Sequence, residues 1–104
     1  MNNTLDRAYL ALAHPARRAI VERLTLGPAT VGEATRALTI SKPAVTKHLK
    51  LLEEAGIVRR AVEGRTHRLR LLPQALAPAS DWLETHRRVW EAKFDAIERH
   101  LEEG

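Results

Sequence analysis

The stretch Ser41-Lys-Pro-Ala-Val-Thr-Lys-His-Leu-Lys-Leu-Leu-Glu-Glu-Ala-Gly56 constrains this chain more than any other. It carries the start and stop signals of a short helix. Ser41 is a good N-cap, because its hydroxyl can accept from an otherwise unpaired amide of the first turn. Pro43 falls in that turn, where its missing N–H costs nothing. Gly56 suits the position just past the helix, where the chain turns left-handed. Between them Val45, Leu49 and Leu52 recur at spacings of four and three and line one face. The opposite face carries Lys42, Thr46, Lys47 and Lys50, with Ser41 at its tip. A helix apolar on one side and lysine-rich on the other suits the DNA major groove. It also describes an amphipathic surface helix whose lysines are merely solvated, and this stretch alone does not separate the two.

The charge distribution bears on that choice. Residues 36–70 hold nine Lys or Arg against three acids, a balance of +6, whereas residues 1–35 stand at +1 and residues 71–104 at −3. The excess sits around the lysine-faced helix, which points to an anionic partner for the middle of the chain and a different task for the acidic tail. At 104 residues with 44% apolar composition, one compact domain spanning 1–104 is expected. No apolar run approaches the roughly 18 residues of a membrane span, and no signal peptide is evident. There is no cysteine, hence no disulfide and no thiolate metal site. A cytoplasmic location fits.

Taken in order, the chain predicts a first helix from Thr4 to Ala13 with Leu5, Tyr9 and Leu12 as its apolar stripe. His14-Pro15 breaks it, and Pro15 opens a second helix, Ala16 to Leu24, turning Ala16, Ile20 and Leu24 inward. Gly27-Pro28 ends that helix. Thr30 and Glu33 have capping-box spacing for a third, with Val31, Ala34 and Leu38 buried. Thr39-Ile40 then leads into Ser41, and two short helices so joined form a helix-turn-helix pattern. Beyond Gly56, Ile57-Val58 and Leu69–Leu71 flank an arginine-rich loop and predict a two-stranded hairpin. With Glu63 and Gly64 as the turn, Val58 pairs with Leu69 and Arg59 with Arg68. Opposed arginines repel on an isolated hairpin but make sense beside a phosphate backbone, with Arg65 next to the tip; a solvated hairpin is the alternative. After Pro73 and Pro78 one long helix is expected from Ala79 to Leu101. Its seam of Leu83, Trp90, Phe94, Ile97 and Leu101 suggests dimerisation, or packing onto the first helix.

These motifs together resemble the ArsR-type winged helix-turn-helix transcriptional regulators, over nearly the whole chain. The resemblance is carried by Ala11-Leu-Ala-His-Pro-Ala-Arg-Arg-Ala-Ile-Val21, by Ser41–Lys50, by Leu52-Glu-Glu-Ala-Gly-Ile-Val58 and by Gly64-Arg65. It implies a mainly α fold with a two-stranded β wing, in the order α-α-α-α-β-β-α. It further implies a sequence-specific DNA-binding regulator, a homodimeric repressor on an inverted-repeat operator in double-stranded DNA. Carried over residue by residue, Ser41, Lys42, Ala44, Thr46, Lys47, His48 and Lys50 would face bases or phosphates, and Arg65 and Arg68 would be the wing contacts. His48 flanks the buried stripe, so packing is its alternative. Residues 1–13 and 79–101 would dimerise through Leu5, Tyr9, Trp90, Phe94, Ile97 and Leu101.

Metal-sensing members pair cysteines in the third helix or Asp and His in the last. Here the third helix has no thiol, Asp81 and Asp95 open no Asp-x-His pair, and His86 and His100 stand fourteen residues apart. The chain therefore resembles the non-metal branch, with no cofactor and no effector legible. A second reading is a winged-helix module whose basic face meets an acidic protein. Catalysis is disfavoured, because no phosphate loop, cysteine nucleophile or ligand cluster is present and Ser41 is better explained as a cap.

Overall fold

A computed structural model describes residues 3–103, with side chains from residue 4; residues 1, 2 and 104 of the expected domain lie outside it. The elements run α1 (Asn3–Leu12), α2 (Pro15–Thr25), β1 (Ala29–Thr30), α3 (Val31–Thr35), α4 (Lys42–Glu54), β2 (Val58–Glu63), β3 (Thr66–Leu71), a 3-10 turn (Pro73–Leu76) and α5 (Ala77–Glu103). This is a winged helix-turn-helix, mainly helical with a small antiparallel wing.

Local signals set most of these boundaries. Pro15 opens α2 behind His14, whose Nδ1 accepts from the Ala16 amide at 3.0 Å and so serves as the N-cap. Thr30 and Glu33 form the expected capping box: Thr30 Oγ1 accepts from Glu33 N at 3.1 Å, and Glu33 Oε1 accepts from Thr30 N at 3.2 Å. α3 stops at Thr35, earlier than the expected Leu38, where Thr35 Oγ1 bonds back to Val31 O and the chain enters a turn. Gly56, at φ +74°, turns the chain out of α4.

Two features of the sheet depart from expectation. β1 is a third strand on the far side of β3, so the order is β1-β3-β2, with Ala29 opposite Leu69 and Thr30 opposite Arg68. The hairpin register is also different. Glu63 pairs with Thr66, which makes Gly64 and Arg65 the turn, Val58 the partner of Leu71, and Arg59 the partner of Arg70 rather than Arg68. Gly64 has φ +63° and no non-glycine residue among those described has positive φ. The glycine therefore takes the first central position of the turn, the one that demands positive φ in a II′-type hairpin, not the second. The opposed arginine pair survives with a different member.

Ile20, Leu49, Leu52, Ile57 and Leu69 form the fully buried centre, one or more from α2, α4 and the hairpin. α1 contributes through Ala8 and Ala11, both 0% exposed, while Tyr9 stays 37% exposed and Leu5 and Leu12 are half-buried. The expected Leu5–Tyr9–Leu12 stripe is thus rotated: alanines let α1 approach α4 closely, and the larger side chains lie along its flank. α5 buries only Ala79. It projects from the body, so that the molecule as a whole measures 69 Å along its longest axis and has a radius of gyration of 18.6 Å, against about 13 Å for a compact domain of this size. Arg87 ties to Glu84 and Glu91 at 2.7 and 2.6 Å and Arg88 to Glu84 at 3.1 Å, the three- and four-residue pairs that support a solvated helix. The guanidinium of Arg87, then that of Arg88, pulls the Glu84 carboxyl down to about 2.

Candidate nucleic-acid interface

α4 presents the expected polar row. Ser41 caps it, its Oγ accepting from Ala44 N at 3.3 Å, and the backbone bond from Val45 N to Ser41 O closes the first turn at 3.0 Å. Lys42, Thr46, Lys47 and Lys50 are exposed and Ala44 is half-buried. Thr46 Oγ1 donates to Lys42 O at 3.1 Å, which ties its hydroxyl back to the helix.

The acids of this helix are already engaged. Glu54 lies 4.0 Å from Lys50 Nζ, and Glu53 receives the guanidinium of Arg60 on β2. Arg60 also meets His67 Nδ1 of β3 at 3.0 Å. Glu53, Arg60 and His67 thereby couple the C-terminal half of α4 to the inner face of the hairpin, so that the helix and wing hold one relative orientation. Lys42 and Lys47 have no acidic partner among the described residues, which leaves a row of uncompensated positive charge at the N-terminal half of α4.

The wing continues that charge. Arg65 is exposed at the turn itself. Arg68 lies on the outer face of β3 opposite Ala61 and Thr30, in line with the Arg59–Arg70 pair. Thr30, Gly32, Arg60, Arg65 and Thr66 border an open notch of about 490 Å³ between the start of α3 and the wing. The arrangement is that of a lysine-bearing helix edge, an arginine-tipped hairpin with one acid, Glu63, beside its turn, and a notch between that hairpin and α3. It can neutralise a row of phosphates while α4 presents small and amide-reaching side chains to a groove.

His48 is the exception among the expected DNA-facing residues. It is 9% exposed and turned inward. Its Nδ1 meets Arg17 Nη1 at 3.0 Å, and its ring lies 4.4 Å from that of His14. The reason is angular: three residues after Val45 and one before Leu49, its side chain falls on the buried edge of the wheel. Burial holds this imidazole below its ordinary value of 6.5, and the fields of His14, Arg17 and Lys47 push it the same way. Sequence reading left Arg17 as part of a motif and His14 as a helix break. A signal was present, since Arg17 stands at three-and-four spacing with Ile20 and Leu24, an arginine on an apolar stripe.

Of the expected dimer residues, Leu5 is half-buried and Tyr9 meets α5 at Trp82. Trp90, Phe94, Ile97 and Leu101 are 47–72% exposed. Trp82 and His86, which the seam spacing omitted, add a ridge at four-residue steps: Trp82 stacks on His86 at 4.0 Å and meets Tyr9 edge-on at 6.4 Å. Among the described residues no group of three His, Cys, Asp or Glu is placed to hold a metal ion, and no helix is long and apolar enough to cross a membrane.

Comparison with known proteins agrees with this geometry. A helix-turn-helix domain family matches residues 12–61, from the end of α1 into β2. The HTH-type transcriptional regulator Rv2034 of Mycobacterium tuberculosis is 50% identical over 72 residues, 69% of this chain and 67% of that protein. The arsenical resistance operon repressor of Escherichia coli is 34% identical over 94 residues, 89% of this chain and 80% of its own. Among solved structures, the ArsR family transcriptional regulator RHA00566 superposes with a TM-score of 0.82 at 32% identity, covering 88% of this chain and 94% of that one. An ArsR-like regulator from Rhodococcus sp. RHA1 gives 0.74 at 27% identity, over 92% and 91%. On its motifs, its fold and these relatives, the chain belongs to the ArsR family of winged helix-turn-helix transcriptional regulators.

Proposed function

We propose that the protein is a repressor that binds an inverted-repeat operator as a homodimer in the cytoplasm, reading bases with α4 and gripping flanking phosphates with the wing. One observation carries this reading: among the described residues Lys42 and Lys47 stand without acidic partners, beside an arginine-tipped hairpin that Glu53 and Arg60 hold in fixed relation to α4. Phosphate neutralisation by these cations supplies affinity through counterion release. Ser41, Ala44 and Thr46 supply small polar and methyl surfaces for base edges. The bare apolar side of α1 and α5 favours a second copy, and twofold symmetry then sets two half-sites one or more helical turns apart. Relatives named as repressors, among them the transcriptional repressor SdpR of Bacillus subtilis, support negative control.

The test is binding of the purified protein to DNA from its own upstream region, against a scrambled duplex at two salt concentrations. Lys47→Ala is expected to weaken specific binding. Arg65→Ala is expected to lower affinity for every sequence and to reduce the salt slope by about one. Parent-like behaviour of both variants on a cognate duplex removes these residues from the interface.

A further inference from the structure

Arg17 is a buried cation with no carboxylate beside it among the described residues. It is 7% exposed, and its guanidinium donates to three acceptors on two elements, α1 and α4. Nε donates to Ala11 O at 2.8 Å and Nη2 to Leu10 O at 2.8 Å, two carbonyls in the last turn of α1, the second of which also accepts from Ala13 N at 3.2 Å. Nη1 donates to His48 Nδ1 at 3.0 Å, on α4. A guanidinium can only donate, so His48 Nδ1 must be bare, with the ring neutral and its proton on Nε2. His14 Nδ1 is committed in the same way, accepting from Ala16 N. The two imidazoles lie 4.4 Å apart. The charged groups that face His48 are all cationic or neutral: His14 and Arg17 from the α1–α2 side and Lys47 from α4 itself. Arg18, nearby, is occupied by Leu12 O at 2.7 Å. No carboxylate among the described residues pairs with any member of this set.

We propose that Arg17 is a positioning residue for the DNA-reading helix, acting through His48, and that this clamp holds α4 in its reading orientation only while His48 is neutral. A proton on His48 Nδ1 replaces an acceptor with a cation directly against the guanidinium, so the bond between α2 and α4 becomes a repulsion. The segment that moves is the one bearing Lys47. Acidification then lowers affinity for the operator but not for DNA in general, because non-specific binding needs only positive charge. The proposal rests on the reading of α4 as the DNA-contacting helix.

The experiment pairs a binding profile with imidazole nitrogen NMR on the full chain. Specific and non-specific duplexes are titrated at about pH 7.5 and about pH 5, where one linked proton changes the ratio by up to about tenfold per pH unit. The parent is expected to lose about tenfold in its specific-to-non-specific ratio across that range. His48→Asn keeps an acceptor near the position of Nδ1 and cannot titrate; it is expected to bind within about threefold of the parent at the higher pH and to hold its ratio at the lower. Arg17→Lys keeps the charge but loses the fork, and is expected to lose about tenfold in specific affinity with non-specific affinity unchanged. NMR, with no DNA present, is expected to show a bare Nδ1 on His48 and a midpoint below 6.5. Identical pH profiles for the parent and His48→Asn overturn the proposal, as does a His48 midpoint at or above 6.5. If Arg17→Lys does not fold, these two outcomes still decide. A parent that binds no duplex at all sinks the DNA reading and the functional half of the proposal with it, while the NMR midpoint judges the clamp separately.

Discussion

Phe94 is the sharpest probe of the bare face of α5. It is 64% exposed in the protomer, so little of its own fold depends on it. A phenylalanine presents about 200 Å², and its exposed part here is therefore about 130 Å². Truncation to alanine removes about 90 Å² of coverable ring, worth about 2 kcal/mol at about 25 cal/mol per Å². In a twofold interface the same residue is covered twice, which gives about 4 kcal/mol, or about a thousandfold in the dimer dissociation constant. This figure is an upper value, reached when the seam is fully covered. Phe94→Ala is thus expected to convert the proposed dimer to monomer at micromolar concentration in sedimentation equilibrium, with helical content by circular dichroism unchanged. A dissociation constant within about threefold of the parent would show that this seam does not form the dimer.

Other expectations follow from particular contacts. Gly64→Ala places a side chain at φ +63° and is expected to cost about 1 kcal/mol in unfolding free energy, read by denaturant titration; an unchanged midpoint refutes the turn geometry. Glu53 and Arg60 are about two-thirds to three-quarters buried, so a double-mutant cycle with Glu53→Gln and Arg60→Ala is expected to give a coupling of about 1 kcal/mol, and additive effects exclude it. His48 binds its proton less tightly folded than unfolded, so unfolded chains take up more protons below 6.5. Stability is therefore complete above 6.5 and declines as pH falls toward the depressed folded value, a decline that His48→Asn removes. Glu84 gives a second window of the same sign between 4.5 and about 2, seen as loss of α5 helicity.

What could be read from residues alone is what local chemistry decides. Ser41, the Thr30–Glu33 box, Pro15 and Gly56 each act within four residues of themselves, and the helices begin and end close to where those side chains place them. The core of α2 and α4 followed from period alone. Features that depend on distant partners were not legible. β1 is two residues long and has no periodicity; it exists because β3 offers it a free edge. The hairpin register hung on which central position Gly64 occupies, and Glu-Gly does not specify it as Asn-Gly would. The Leu5–Tyr9–Leu12 stripe expected on α1 gave way to Ala8 and Ala11, whose small side chains let the helix pack against the core. His48 and Arg17 needed the third dimension, since their pairing joins residues 31 positions apart. The lysine row proposed to face DNA was visible as a helical face; that the acids of α4 are engaged elsewhere, leaving Lys42 and Lys47 uncompensated among the described residues, required the structure.

The central claim is that α4 and the wing read DNA with twofold symmetry. Selection of bound duplexes from a random pool tests it most directly, because it assumes no operator. The account predicts enrichment of an inverted repeat with half-sites about one or more helical turns apart, lost when Lys47→Ala replaces the parent in the selection. A pool that stays random, or one enriched in a motif that Lys47→Ala recovers equally well, would contradict it.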